Sequence, residues 1–257
     1  MNLAIIQARM GSTRLPGKVL MKIGNVDVLN LVTSRVRQSN SIDKIIVATT
    51  INSEDDVLEG YCKELGISSF RGSSEDVLGR FTGAMGTDFQ GNVLRVTADC
   101  PFVDPHLIDL AFAKFEKLDL DHLGIATGAG VANSDLFKYP DGLDSEWISA
   151  SALYRANLDA SDVLDREHVT SYIWRNSSLF KLGLLEPESD YSDVKLTVDT
   201  ASDLKNMNGL ANLLGENFFE SSLEQIVATY RQGVKNGILD FPIENENYEV
   251  FFSHEQK

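Results

Sequence analysis

Residues 3–18 read Leu3-Ala4-Ile5-Ile6-Gln7-Ala8-Arg9-Met10-Gly11-Ser12-Thr13-Arg14-Leu15-Pro16-Gly17-Lys18. An apolar run of strand length passes straight into a loop rich in glycine, hydroxyl and basic residues. A glycine-bearing loop after a first parallel strand lies at the carboxyl edge of an α/β sheet, where such folds bind ligands. Gly11 lets backbone N–H groups approach a phosphate, Ser12 and Thr13 add hydroxyls, and Arg9, Arg14 and Lys18 supply charge. Spacing rules out two familiar phosphate loops. Gly11 and Gly17 enclose five residues and Val19 follows Lys18, so this is not a Walker A loop. No G-x-G-x-x-G occurs either, because Gly128-x-Gly130 runs on to Asn133.

Outward from that loop, short apolar runs alternate with amphipathic stretches, which predicts a mostly parallel, Rossmann-like α/β sheet flanked by helices. Strands are expected at Leu3–Ala8, Lys44–Thr49, Ser68–Arg71, Asn92–Thr97, Leu123–Ala126, Leu179–Leu185 and Lys195–Val198. Helices are expected at Asp27–Gln38, Glu54–Leu65, Glu75–Met85, Pro105–Phe115, Ser149–Leu158, Arg166–Asn176, Ala201–Leu214 and Leu223–Asn236. Asp104 before Pro105 and the pairs Thr200/Asp203 and Ser222/Gln225 are helix-start signals. Residues 128–143 read as loop. With no internal repeat or linker, residues 1–240 form one expected domain and 241–257 a C-terminal tail.

The chain has 257 residues, 43% of them hydrophobic, and a formal net charge of −15. That charge opposes a nucleic-acid or anionic-membrane partner. Against it, residues 1–26 hold Arg9, Arg14, Lys18 and Lys22 and no acid, as a local anion site would. There is no apolar run of about 18 residues to span a bilayer, and the opening residues lack a leader's basic start. Cys62 and Cys100 have no metal-ligand spacing. A cytoplasmic location is the expectation.

Six segments carry a resemblance. Residues 5–20, IIQARMGSTRLPGKVL, are similar to the opening signature of cytidylyltransferases that activate acidic sugars, the group of the CMP-KDO and CMP-sialic acid synthetases. The likeness is nearest to the spore-coat polysaccharide branch. It recurs at Phe70-Arg71-Gly72-Ser73, Arg95-Val96-Thr97-Ala98-Asp99-Cys100-Pro101, Tyr139-Pro140-Asp141-Gly142-Leu143-Asp144, Arg166-Glu167-His168-Val169-Thr170 and Leu196-Thr197-Val198-Asp199-Thr200. The resemblance implies a nucleotide-diphospho-sugar transferase (GT-A-like) fold. It also implies transfer of CMP from CTP to an acidic sugar-like acceptor, with release of pyrophosphate, in cell-surface polysaccharide synthesis.

The same resemblance implies residue roles. Read alone, Asp99 before Cys100-Pro101 is more readily a turn residue and Asp199-Thr200 a helix cap; the family pattern makes Asp99 and Asp199 ligands of Mg²⁺. Arg9, Arg14 and Lys18 would act on the phosphates. Ala8, Gly11, Ser12, Thr49, Arg71 and Thr97 would line the nucleotide site. Asp141, Asp144, Glu146, Glu167 and His168 are the acceptor candidates, their carboxylates suited to hydroxyl or amino groups. An acidic turn at Asp141–Glu146, a helix start at Glu167 and a structural His168 are the plainer readings. Cys100 is expected to pack. Relatives are often dimers, so a homodimer is an expectation. Two other classes fit the same fold. A glycosyltransferase using a nucleotide sugar would normally carry an Asp-x-Asp motif, and Asp99 has none. A non-catalytic nucleotide-binding protein would bind CTP without releasing pyrophosphate.

Overall fold

The computed structural model describes residues 1–127 and 136–240. The expected tail at 241–257, and residues 128–135 of the expected loop, lie outside the described residues. Seven strands form one sheet: β1 (Asn2–Gln7), β4 (Lys44–Thr50), β5 (Ser68–Gly72), β6 (Asn92–Thr97), β7 (His122–Ile125), β8 (Ser145–Ser149) and β9 (Leu182–Leu185), in the order β5-β4-β1-β6-β8-β7-β9. β2 (Lys22–Ile23) and β3 (Val26–Asp27) make a small separate hairpin that the sequence reading did not anticipate. Strands β5, β4, β1 and β6 run parallel; β8 is antiparallel to both of its neighbours, β6 and β7.

Alternation along the strands decides what covers each face. Ala4, Ile6, Val47, Leu94 and Val96 point to one side. There they join the core made with α1 (Val28–Arg37), α2 (Asp56–Glu64), α4 (Pro105–Lys117), α8 (Ala201–Leu214) and α9 (Leu223–Lys235). Leu3, Ile5, Ile46, Ala48, Val93 and Ile148 point to the other side, where α3 (Val77–Met85), α5 (Ala150–Asp159) and α7 (Ser171–Arg175) pack. The result is a three-layer α/β/α sandwich whose parallel strands all end at one edge, above which the β1 loop lies. Both capping boxes and the Asp104 cap form as expected, with Leu107 N–H donating to Asp104 Oδ1 at 2.8 Å.

Three expectations are corrected. β8 was not foreseen, its five residues hidden at the end of the loop-like middle. The helix expected at Arg166–Asn176 is two helices, α6 (Val163–His168) and α7, because Val169 between them has φ 62°. Lys195–Val198 is no strand: Asp141 and Lys195 form one isolated bridge, and the next amides go to different partners. Leu196 N–H donates to Asp141 O and Val198 N–H to Asp99 O. Those two bonds stitch this segment to both acidic motifs at the edge of the sheet.

Gly142 makes that stitching possible. Its φ is 101°, and a Cβ there would lie 2.7 Å from Leu196 C and Thr197 N. Gly142→Ala should therefore destabilise the chain by about 2 kcal/mol or more, seen as a lower urea midpoint; an unchanged midpoint would contradict this packing.

Candidate active site

The loop after β1 is closed by its own backbone. Met10 O accepts from Ser12 N–H at 2.8 Å and from Gly17 N–H at 2.9 Å. Gly17, at φ 73°, turns the chain into the short 3₁₀ turn Lys18–Leu20. Met10 N–H donates to Asp55 Oδ1 at 2.6 Å, and Asp55 also accepts from the N–H and hydroxyl of Thr50. Asp55 is thus the post that fixes the loop to the end of β4. Sequence reading missed it, because Glu54-Asp55-Asp56 looks like an ordinary acidic helix start. The amides of Gly11, Thr13 and Arg14 donate to nothing among the described residues. Three unspent donors, with the exposed Arg9 guanidinium beside them, are what an oxyanion needs.

Lys18 is directed inward from this loop and is 9% exposed. Its Nζ donates to Asp99 Oδ2 at 2.8 Å, Asp199 Oδ1 at 3.1 Å and Val198 O at 2.7 Å. Arg14 Nη2 reaches the same Asp199 oxygen at 3.0 Å. Burial works against the Lys18 charge, but Asp99 and Asp199 outweigh it and raise its pKa above the ordinary lysine value. Burial likewise opposes ionisation of Asp99, and Lys18 overcomes it, holding that carboxyl below its usual range. The two aspartates proposed from the sequence therefore face one shared cationic centre.

The other nucleotide candidates separate. Ala8 is buried under the loop and Thr49 is fully buried with its hydroxyl unpartnered. Thr97 pairs with Gln7 across the strands and its hydroxyl meets Cys100 Sγ at 3.2 Å; Cys100 is buried, as expected. Gln7 Oε1 is also buried without a partner, a donor-seeking group that sequence reading passed over as strand interior. Gly11 lies against Glu54, where a Cβ would meet Oε1 at 2.5 Å. Ser12 Oγ accepts from Leu15 N–H at 3.4 Å. Arg71 is spent internally: it pairs with Asp56 at 2.6 Å and donates to the carbonyls of Thr50 and Asn52. It braces the β4–α2 connection.

The acceptor candidates also divide. Asp141 and Asp144 stand near Asp99, held by the Gly142 turn. Asp144 accepts from Gly142 N–H at 3.0 Å and from the Thr127 hydroxyl. Burial first, then the neighbouring Asp144 charge, pushes Asp141 up to about 7; burial also raises Asp144. Asp141 Oδ2 accepts from Thr197 at 3.3 Å, while Oδ1 is buried with no partner. Glu146 is different. It takes hydrogen bonds from Arg95 at 2.6 Å, His122 at 3.1 Å and Thr170 at 3.0 Å. Burial opposes its charge, but Arg95 and His122 hold it down at about 2. Glu146 is an internal ion-pair residue that anchors Thr170 and hence the α6–α7 turn. Glu167 and His168 are exposed at the end of α6. Among the described residues, no hydrogen bond or ion pair joins Glu167 to Asp141 or Asp144.

A cytidylyltransferase family model matches residues 3–234, and the chain belongs to that family. It is 35% identical over 237 residues to the spore coat polysaccharide biosynthesis protein SpsF of Bacillus subtilis strain 168, covering 89% of this chain and 94% of that protein. A solved cytidylyltransferase from Leptospira borgpetersenii superposes with a TM-score of 0.83 at 28% identity, covering 95% of this chain and 99% of that one. A CMP:2-keto-3-deoxy-manno-octonic acid synthetase complexed with CTP superposes at TM-score 0.61 and 18% identity, over 81% and 97% of the two chains, a likeness of fold. The GT-A-like expectation is met. No described helix is long and apolar enough to cross a membrane.

The raised Asp141 carboxyl has a stability consequence. Between about pH 4, where an unfolded carboxyl ionises, and about 7, the folded chain keeps a proton that the unfolded chain has released. Stability therefore falls as pH rises through that window. Asp141→Asn should remove this slope and gain about 2 kcal/mol relative to wild type between pH 5 and pH 8, by chemical denaturation at each pH. Parallel stability curves would mean that Asp141 is ionised throughout.

Proposed function

We propose that the chain transfers CMP from CTP to a small acidic, sugar-like acceptor and releases pyrophosphate, as a step in cell-surface polysaccharide synthesis. The observation that carries this reading is the Lys18 ammonium held between Asp99 and Asp199 beneath a loop with unspent amides. Family membership and the likeness to SpsF support the chemistry and the setting.

Magnesium is part of the proposal, and the residues fit it. Two carboxylates already converge on one cation, and among the described residues no set of three or more acidic, histidine or cysteine ligands gathers. A two-carboxylate seat completed by phosphate oxygens and water is the usual way proteins hold Mg²⁺. Asp99 and Asp199 would hold it. When bound, the ion supplies charge neutralisation at the phosphates.

The chain's own residues do the rest. The free amides of Gly11, Thr13 and Arg14 bind phosphate oxygens, and Arg9, Arg14 and Lys18 offset charge building on the departing pyrophosphate. An acceptor oxygen forms the new bond to the α-phosphorus as the bond to the α–β bridging oxygen breaks; that oxygen leaves with the pyrophosphate, and the acceptor hydroxyl's proton passes to solvent water. Asp141, with one oxygen lacking a donor, is suited to bind acceptor hydroxyls.

Purified protein with CTP, Mg²⁺ and a panel of keto-acid sugars should release pyrophosphate only when an acceptor is present. Lys18→Ala should lower kcat/KM by about 10²–10³-fold, the scale of a lost charge-stabilising donor. No pyrophosphate with any acid sugar, or near-normal turnover of the variant, would defeat the reading.

A further inference from the structure

Among the described residues two that are not glycine have a positive φ, Asp119 at 50° and Val169 at 62°. Aspartate visits that region readily; a β-branched residue does not. With ψ at −57°, and Thr170 N–H donating to His168 O at 2.6 Å, Val169 forms a γ-turn of the strained hand between α6 and α7. Its side chain is fully buried, so packing holds the residue in place.

Three charge-assisted contacts pin the same turn. Before it, Arg166 grips both oxygens of Asp76, at 2.8 and 2.6 Å. After it, the Thr170 hydroxyl donates to Glu146 at 3.0 Å, and Glu146 is itself fixed by Arg95 at 2.6 Å. Across it, buried Asp165 accepts from the Ser171 hydroxyl at 2.7 Å and pairs with Arg175 at 2.5 Å. A strained backbone persists only where its surroundings over-determine it, and such places gather at functional sites. The anchors place this one. Asp76 follows the end of β5 and so stands at the carboxyl edge of the sheet, as the β1 loop does. Leu143 and Trp147 enter one core and Ile148 the other, so Asp144 and Glu146 share a face two positions apart, about 7 Å along the strand. The turn therefore stands beside Asp144, and Glu167 and His168 are its exposed residues.

We propose that the Glu146–Thr170 contact is a positioning clamp, which holds the Val169 turn so that Glu167 and His168 face the acceptor beside Asp144. The Glu167 carboxylate accepts from acceptor hydroxyls, and the His168 ring N–H donates to the acceptor carboxylate. Neither Glu146 nor Thr170 touches substrate; both act through the turn. The clamp rests on the functional reading above and adds to it the residues that aim its acceptor side.

The test compares wild type with Thr170→Val, which removes the hydroxyl and keeps the shape, and Thr170→Ser, which keeps the hydroxyl. It adds the pair Glu167→Gln/His168→Ala, with and without Thr170→Val. Acceptor KM and kcat are measured by pyrophosphate release, CTP binding by calorimetry and folding by urea midpoint. Thr170→Val should raise acceptor KM by about tenfold or more, the scale of a lost hydrogen bond to a charged group. CTP affinity and kcat should stay unchanged, and Thr170→Ser should behave as wild type. Once Glu167 and His168 are replaced, adding Thr170→Val costs nothing further in acceptor kcat/KM, because the clamp has nothing left to aim. If Thr170→Val folds poorly, Thr170→Ala removes the same hydroxyl and carries the same expectations. An unchanged acceptor KM, equal losses for CTP and acceptor, or losses that multiply in the combined variant would overturn the clamp and leave the functional reading standing. A wild-type protein that releases no pyrophosphate with any acid sugar would overturn the functional reading and the clamp together.

Discussion

One ammonium group holds the working edge of this protein together. Lys18 Nζ joins Asp99, 81 residues away, to Asp199, 181 residues away, and takes the Val198 carbonyl as well. The three segments concerned are the loop after β1, the turn after β6 and the stretch before α8. Lys18 opens a short 3₁₀ turn, and the other two contacts lie outside strands and helices. One backbone bond, Val198 N–H to Asp99 O, is thus all that the main chain offers, among the described residues, to register them. A buried, charge-assisted set of hydrogen bonds adds the rest. Its cost in desolvation is recovered only because two carboxylates share the cation, which also explains why the site tolerates so much acid in one place.

Around that centre the support comes partly from residues of the family-like segments and partly from Asp55 and Glu146, which lie outside them. Asp55 pins Met10, and through it the whole loop, to the end of β4. Arg71 braces the next connection, and the Gly142 turn brings Asp141 and Asp144 to the 195–198 segment. Glu146 fixes the α6–α7 turn through Thr170. The β1 loop is thus held in its backbone, with the amides of Gly11, Thr13 and Arg14 left without partners among the described residues.

Much of this was legible in the chain, for reasons that differ by element. β1, β4 and β6 lie inside the sheet, and buried parallel strands write themselves as continuous apolar runs. Ser145-Glu146-Trp147-Ile148-Ser149 did not, because Glu146 is spent on an internal ion pair with Arg95 and Ser149 caps the next helix, so its polar residues do not mark a solvent face. Lys195–Val198 has a strand's composition, yet its amides serve Asp141 and Asp99 instead of a neighbouring strand. Val169 splits a helix whose pattern is unbroken, since a φ of 62° leaves no mark in side-chain polarity. At the site, the paired aspartates and the loop were visible as motifs. The division of the acids into Asp141 and Asp144, raised by burial, and Glu146, held ionised by Arg95 and His122, was not. That division depends on neighbours brought in by the fold.

The account stands on the claim that the point now held by the Lys18 ammonium, between Asp99 and Asp199, is a seat for a divalent cation delivered with the nucleotide. Crystals grown with CTP and Mn²⁺ in place of Mg²⁺ test it directly through the anomalous signal of manganese. The account predicts an anomalous peak in contact with both carboxylates and with phosphate oxygens, and Lys18 moved from the aspartates to a phosphate. Nucleotide bound with manganese elsewhere, and Lys18 still between its two aspartates, would contradict it.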